Sequence, residues 1–255
     1  MISWEAVGGI TVNAGLTPAQ DRWILRLQYR NMYMYNSMMS ATNQMVPMVL
    51  AYGVTSNFTL MGRGVYKSKD VYINNSQVTR GIDDFYLLSK LKVYRKNTAK
   101  YSFGIAPFIA TNIPVGNEAL SANTWNPEIG LSISMRPRFW SFDFNTAYRA
   151  YDVTNKATTA LKNNFEFHFS AAHQIVFNQN SSFSVFPVLE SSYVNQNATS
   201  TSNLNFERLF VSPGVQIMYK NYMLEALYQQ PVYQNSSSGA MEVKYNFIVG
   251  TKIMF

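Results

Sequence analysis

The chain has 255 residues, 47% of them apolar, and its 21 Lys and Arg against 14 Asp and Glu give a formal net charge of +7. This length suits one domain or one barrel, and no window approaches the roughly 18 consecutive apolar residues of a membrane-spanning helix. A mean hydropathy of −0.12 beside so many apolar residues is typical of a β-barrel, in which each strand is half apolar and half polar. The sequence contains no cysteine, which excludes a disulfide framework and a thiolate metal site.

The basic excess suits an anionic lipid surface, an anionic solute or a nucleic acid. The sequence has no helix-turn-helix pattern, no finger spacing and no basic tail, so we expect no nucleic-acid partner. Only two histidines are present, and no glycine-rich phosphate loop follows a strand, so we expect no metal and no cofactor. Met1 precedes no basic and apolar leader, and we expect the sequence to be a mature form with an added Met.

Residues 1–21 do not have the pattern of a strand, because they contain Gly8, Gly9, Gly15 and Pro18. They could be a disordered lead, a periplasmic extension or a plug folded into the lumen. A flexible terminus or an expression remnant fits equally well. We therefore divide the chain into an N-terminal extension, 1–21, and a remainder, 22–255.

The remainder consists of alternating segments separated by turn signals. In the first of them, Trp23, Leu25 and Leu27 share one face and Arg26 and Gln28 the other, as the period of two in a strand requires. The pattern blurs at 101–112, where both faces are apolar or small. The segments lie at 22–35, 46–54, 58–67, 84–95, 101–112, 125–136, 140–149, 165–170, 183–193, 208–219, 222–229 and 241–255.

The last segment alternates up to Phe255, with an apolar and aromatic face opposite a polar one. A terminal aromatic residue resembles the signal that the barrel-insertion machinery of the outer membrane recognises, so we expect this machinery to be a partner. The connections also alternate in length. Short ones lie near 55–57, 96–100, 137–138, 178–181 and 220–221, and longer ones near 36–44, 68–80, 114–124, 151–162, 195–205 and 234–240.

These features predict an all-β fold: a single antiparallel transmembrane β-barrel of about twelve strands, with short periplasmic turns and longer extracellular loops. The location that follows is the outer membrane of a Gram-negative envelope, in contact with its lipid. A closed sheet leaves no backbone amide unpaired in lipid.

Two stretches resemble the phenol-degradation meta-pathway family of outer-membrane transporters. One is GIDDFYLLSKLKVYRKNTAKYSFGIAPFIATNIPVGN, and the other is the opening GLTPAQDRWILRLQYR. Asp84 matches the family aspartate, Asp83 stands where glycine is usual, and Val115 replaces the threonine of a Pro-Thr-Gly turn. The resemblance implies a barrel of about twelve strands and says little about cargo.

Period-two alternation places one set of charged residues on the predicted inner face. A ring of charges in a pore selects ions by sign, so the basic excess predicts a preference for anions, whereas a lumen sealed by ion pairs is the alternative. The basic candidates are Arg26, Arg30, Arg63, Lys67, Lys90, Lys92, Arg136, Arg149, Arg208, Lys244 and Lys252, and the acidic ones are Asp84, Glu128, Asp143, Glu166, Glu190, Glu225 and Glu242.

Three functions fit these patterns. The first is a passive, porin-like channel for transport of small solutes, with aromatic or other organic anions as cargo. The second is a non-conducting structural or adhesive barrel, or one subunit of an envelope complex with a protein partner. The third is a lipid hydrolase, because His168 and Ser170 share one strand face. Phe165, Phe167 and Phe169 occupy the lipid side, however, so the His-Ser pair is expected to face the lumen, and we expect no enzyme activity.

Overall fold

A closed antiparallel sheet forms the body of the protein. The computed structural model describes residues 8–15, 17–72, 76–118, 120–121, 123–151, 162–176, 183–196, 205–237 and 240–255. In this part of the chain the strands are β1 (Trp23–Tyr35), β2 (Ser40–Gly53), β3 (Phe58–Tyr72), β4 (Ser76–Ile82), β5 (Phe85–Leu91), β6 (Tyr94–Asn97), β7 (Tyr101–Ile113), β8 (Asn126–Pro137), β9 (Trp140–Tyr151), β10 (Lys162–His173), β11 (Ile175–Val176), β12 (Phe183–Gln196), β13 (Phe206–Tyr219), β14 (Tyr222–Ser236) and β15 (Glu242–Met254).

These fifteen segments make twelve barrel strands. β4, β5 and β6 are successive pieces of one strand, interrupted at 83–84 and 92–93, and β10 and β11 are two pieces of another. The ring runs β10, β9, β8, β7, β5, β3, β2, β1, β15, β14, β13 and β12, and the pairing of β10 with β12 closes it. The predicted transmembrane barrel is therefore confirmed. No helix in the described residues has the length and apolar character that crossing a membrane requires.

The two chain ends of the barrel meet at its periplasmic edge. The amide of Trp23 donates to the carbonyl of Phe255 at 3.2 Å, and the amide of Phe255 donates back to Trp23 at 3.0 Å. The ring of Trp23 stacks on Tyr52 with centroids 4.2 Å apart. Aromatic rings at this depth suit the boundary between lipid and water.

Four of the five predicted short periplasmic turns occur where the sequence predicts them, and the fifth, near 178–181, lies outside the described residues. The turns after β8 and β13 each place a non-glycine residue at positive φ, Arg138 at 47° and Lys220 at 53°. Left-handed residues are what two-residue hairpin turns require, because their twist matches that of the flanking strands.

Three of the predicted long loops are shorter than expected. Residues 40–44 already pair with β1, 68–72 and 76–80 pair with each other, and β14 continues to Ser236. The ladder continues because backbone groups gain partners by extending a hairpin, whatever the side-chain composition. Parts of the predicted connections lie outside the described residues, namely 73–75, 152–161, 177–182, 197–204 and 238–239, as do residues 1–7 of the N-terminal extension.

Part of the inner face is apolar, which the sequence pattern did not predict. Inward side chains of β12 to β15 form a buried cluster that includes Phe186, Met218, Met223 and Ile248. We expected polar side chains there, because luminal faces are usually wet. The apolar lining instead packs against a segment that fills this side of the lumen.

Candidate functional site

The barrel lumen collects most of the predicted charged candidates. Arg136 and Asp143 form a buried ion pair, with Nη2 2.8 Å from Oδ1. Arg149 pairs with Glu128, and Arg26 Nε lies 3.2 Å from Glu225 Oε1. Buried on the inner side are Asp84, Lys90, Lys92, Glu128, Arg136, Asp143, Glu190, Glu225 and Lys252, and half-buried are Arg26, Arg30, Arg63, Lys67, Arg149, Glu166 and Arg208.

Two candidates, Glu242 and Lys244, lie elsewhere. The pairing of β15 with β1 shifts by one residue between Tyr33 and Met34, so Lys244 has no partner residue across the ladder. A bulge of this kind reverses the alternation beyond it. Glu242 therefore sits opposite Tyr35 with both side chains exposed, while Val243 turns inward and is buried.

The described part of the N-terminal extension runs through the lumen. Glu190 on β12 binds this segment. The Glu190 carboxylate accepts hydrogen bonds from the amides of Ile10 and Thr11 and from the hydroxyl of Thr11. The amide of Gly9 donates to Asp143 Oδ2 at 3.2 Å. Carboxylates thus satisfy backbone donors that have no strand partner.

Luminal cations and amides hold the carbonyl groups of the same segment. Arg26 donates to the carbonyls of Gly9 and Ile10 at 3.1 Å each. Lys90 Nζ donates to the carbonyl of Ala14 at 2.7 Å. The segment is therefore fixed along its length by groups from opposite walls.

Packing reinforces these polar contacts. Ile10 is fully buried in the apolar cluster on β12 to β15. A methyl group on Gly15 would lie 2.8 Å from the carbonyl oxygen of Ser132 and 2.9 Å from the amide of Ser134. Only glycine allows the chain to approach the wall this closely. We call residues 8–15, 17 and 18 the luminal segment.

A cavity remains beside the luminal segment. Its volume is about 390 Å³, and its walls come mainly from β1, β2, β3, β5, β9 and β10. Arg30, Arg63 and Arg149 face it together with Glu128 and Glu166. This volume falls in the range of small-molecule sites, roughly 300–1,000 Å³.

Asp84 serves a different purpose from the other candidates. Its carboxylate accepts from the hydroxyl of Ser121 at 2.5 Å and from the amide of Gly116 at 3.2 Å. These contacts tie the extracellular loop after β7 to the break between β4 and β5. The short motifs that carried the family resemblance therefore meet in space at this loop.

The His-Ser pair on β10 faces inward. Ser170 is buried and lies beside Gly9, and His168 Nε2 lies 3.1 Å from Glu166 Oε2. The phenylalanines at 165, 167 and 169 are exposed on the lipid side. Within the described residues no cluster of three or more His, Asp or Glu is arranged to hold a metal ion.

The chain resembles a known protein family over most of its length. The sequence pattern of the family described as "Putative MetA-pathway of phenol degradation" matches residues 13–245. The chain belongs to this family. No curated protein matches it.

Solved outer-membrane barrels share the fold. An outer-membrane channel from Pseudomonas putida F1 is 14% identical with a TM-score of 0.66, and the alignment covers 98% of this chain and 100% of that one. The β domain of the Bordetella autotransporter Brka is 13% identical with a TM-score of 0.54, over 93% of this chain and 100% of that one. The NanC porin is 11% identical with a TM-score of 0.50, over 89% and 98%. The protein is thus a bacterial outer-membrane β-barrel.

Several functional residues have no signal in the sequence pattern. Gln28 and Gln216 donate to carbonyls of the luminal segment at Ile10 and Gly8. In the sequence, a glutamine on the inner face cannot be distinguished from any other polar luminal residue, because its hydrogen-bond partner is known only from the structure. The three glycines of the N-terminal extension were a usable signal, because they mark backbone that approaches other atoms closely.

Proposed function

We propose that the protein is a passive channel for small solutes in which the luminal segment acts as a plug. The observation that carries the proposal is the set of hydrogen bonds to the backbone of this segment, in which Glu190 and Asp143 accept from its amides and Arg26 and Lys90 donate to its carbonyls. None of these contacts belongs to the strand ladder, so release of the segment would leave the ladder of the barrel intact.

The cargo class follows from the charges around the cavity. Six cations line it against two carboxylates, namely Arg26, Arg30, Arg63, Lys90, Arg149 and Lys252 against Glu128 and Glu166. Such an excess favours anions along the path. We infer that small organic anions, including aromatic acids, are the solutes.

Planar-bilayer recording tests this function. The full chain should show small currents, and a form lacking residues 1–21 should show larger ones. Under a salt gradient, the reversal potential of both should shift toward the chloride equilibrium potential. Absence of current from both forms would overturn the channel.

A sealed structural barrel is the second candidate, and a specific observation favours it. The Arg136–Asp143 pair is almost completely buried, with side-chain exposures of 1% and 0%, and lies directly against the luminal segment. Buried pairs of this kind fill space rather than conduct. Absence of current and of solute entry into liposomes, together with a lower thermal stability after removal of residues 1–21, would favour this alternative.

A further inference from the structure

Two arginine side chains on the cavity wall have no carboxylate partner among the described residues. Arg30 donates only to Gln28, with Nε 3.1 Å and Nη2 2.7 Å from the amide oxygen. Arg63 stacks its guanidinium on the ring of Tyr86, with 4.4 Å between Cζ and the ring centroid, and its buried Nε has no hydrogen-bond partner. Neither forms an ion pair with any residue that the structure describes.

These two arginines belong to a cluster of like charge. The charges of Arg63 and Arg26 act on the Arg30 guanidinium, and those of Glu225 and Glu190 oppose them. Arg26 and Arg63 lie on either side of Val49, each directly opposite it across a strand ladder. Cations placed together inside a barrel repel each other unless an anion lies among them.

The carboxylates around this wall already have partners. Glu128 pairs with Arg149, and Glu166 contacts Asn164 and His168. Glu225 accepts from Gln28 at 2.6 Å and pairs with Arg26 through Oε1, while its buried Oε2 has no hydrogen-bond partner among the described residues. Glu190 is occupied by the luminal segment. The arrangement therefore leaves room for an anion that the chain itself does not supply.

An apolar wall adjoins the two arginines. Met45 sits directly opposite Arg30, and Met61 is two residues before Arg63 on the same inward face. Met32 also lines the cavity. Thioether side chains adapt to ligand shape and make favourable contacts with aromatic rings.

We propose that Arg30 and Arg63 bind the carboxylate of an aromatic acid inside the 390 Å³ cavity, with the methionine wall holding its ring. Arginine presents a planar fork that matches a carboxylate, and a site enclosed by protein strengthens the contact. The inference rests on the proposed function and deepens it, because it names the site that binds the proposed cargo. The site itself requires no open pore.

Calorimetric titration of the full chain in detergent tests the site with three probes of nearly equal shape: benzoate, benzamide and benzamidine, which carry charges of about −1, 0 and +1 at neutral pH. Benzoate should bind saturably, and the other two should bind at least tenfold more weakly. Arg63→Gln and Arg30→Gln should each weaken benzoate binding about tenfold to hundredfold, as expected for loss of a charge-assisted contact. Arg63→Lys, which keeps the charge but loses the fork, should fall between.

Arg138→Gln is the matched control, because this arginine is exposed on a periplasmic turn and its loss changes net charge equally. It should leave benzoate affinity unchanged. Equal affinity for benzoate and benzamide, or equal loss in the Arg138 variant, would overturn the site. If the protein binds benzoate but passes no current, the binding site is supported and the channel function is refuted. If it passes current but does not bind benzoate saturably, the channel function is supported and the binding site is refuted.

Discussion

Removing the charge of Glu190 should loosen the luminal segment. This carboxylate accepts three hydrogen bonds from Ile10 and Thr11, two of them from backbone amides. Glutamine keeps one acceptor oxygen but presents an NH₂ group to donors, so Glu190→Gln loses about two charge-assisted contacts. At roughly 1.5–3 kcal/mol for each, and with part of the loss offset by the remaining acceptor, the bound state weakens by about 2–4 kcal/mol.

That change alters the population of the released state by a factor of roughly 30 to 1,000. In planar bilayers, Glu190→Gln should therefore approach the larger current of the form that lacks residues 1–21, with longer open periods than the full chain.

Glu166→Gln is the matched control for this experiment. Glu166 lines the luminal cavity, and among the described residues it contacts Asn164 and His168 rather than the backbone of the luminal segment. Like Glu190→Gln, Glu166→Gln removes one negative charge from the lumen, but it should leave the open periods unchanged. If Glu190→Gln and Glu166→Gln behaved alike, or if Glu190→Gln matched the full chain, the reasoning from these hydrogen bonds would be refuted.

Three further changes follow from the structure. Gly15→Ala should raise the current, because its methyl group would meet the backbone of Ser132 and Ser134, and an unchanged current in bilayers would contradict this. Arg136→Gln should lower stability to urea by about 3–5 kcal/mol, since it leaves the buried Asp143 without its charged partner, and a loss below 1 kcal/mol would count against the pair. Phe255→Ala should reduce the amount of assembled barrel in the outer membrane, measured by membrane fractionation, while refolding in detergent stays normal; equal loss in both would indicate a packing role rather than an insertion signal.

The alternation of side chains was sufficient to predict the barrel. Period two is a local property of an extended chain, so Trp23, Leu25 and Leu27 could be assigned to lipid and Arg26 to the lumen without any tertiary contact. The turn at Arg138 was predictable for the same reason, because its neighbours already alternate.

Register and bulges were not predictable in this way. The assignment of Glu242 and Lys244 to the inner face assumed unbroken alternation, and one unpaired residue reverses it. Nothing in the composition of β15 marks that position, because the bulge depends on how β15 meets β1.

The barrel, its strand number and most of the luminal charges are predictable from the sequence, because they depend on local periodicity. The course of the luminal segment depends on tertiary contacts. The contact between Thr11 and Glu190 joins residues 179 apart, and the cluster that buries Ile10 draws on five different strands. The tertiary structure also shows which luminal cations are paired and which, like Arg30 and Arg63, face the cavity without a carboxylate partner among the described residues. This pairing depends on distances across the lumen, which the period of a strand does not encode.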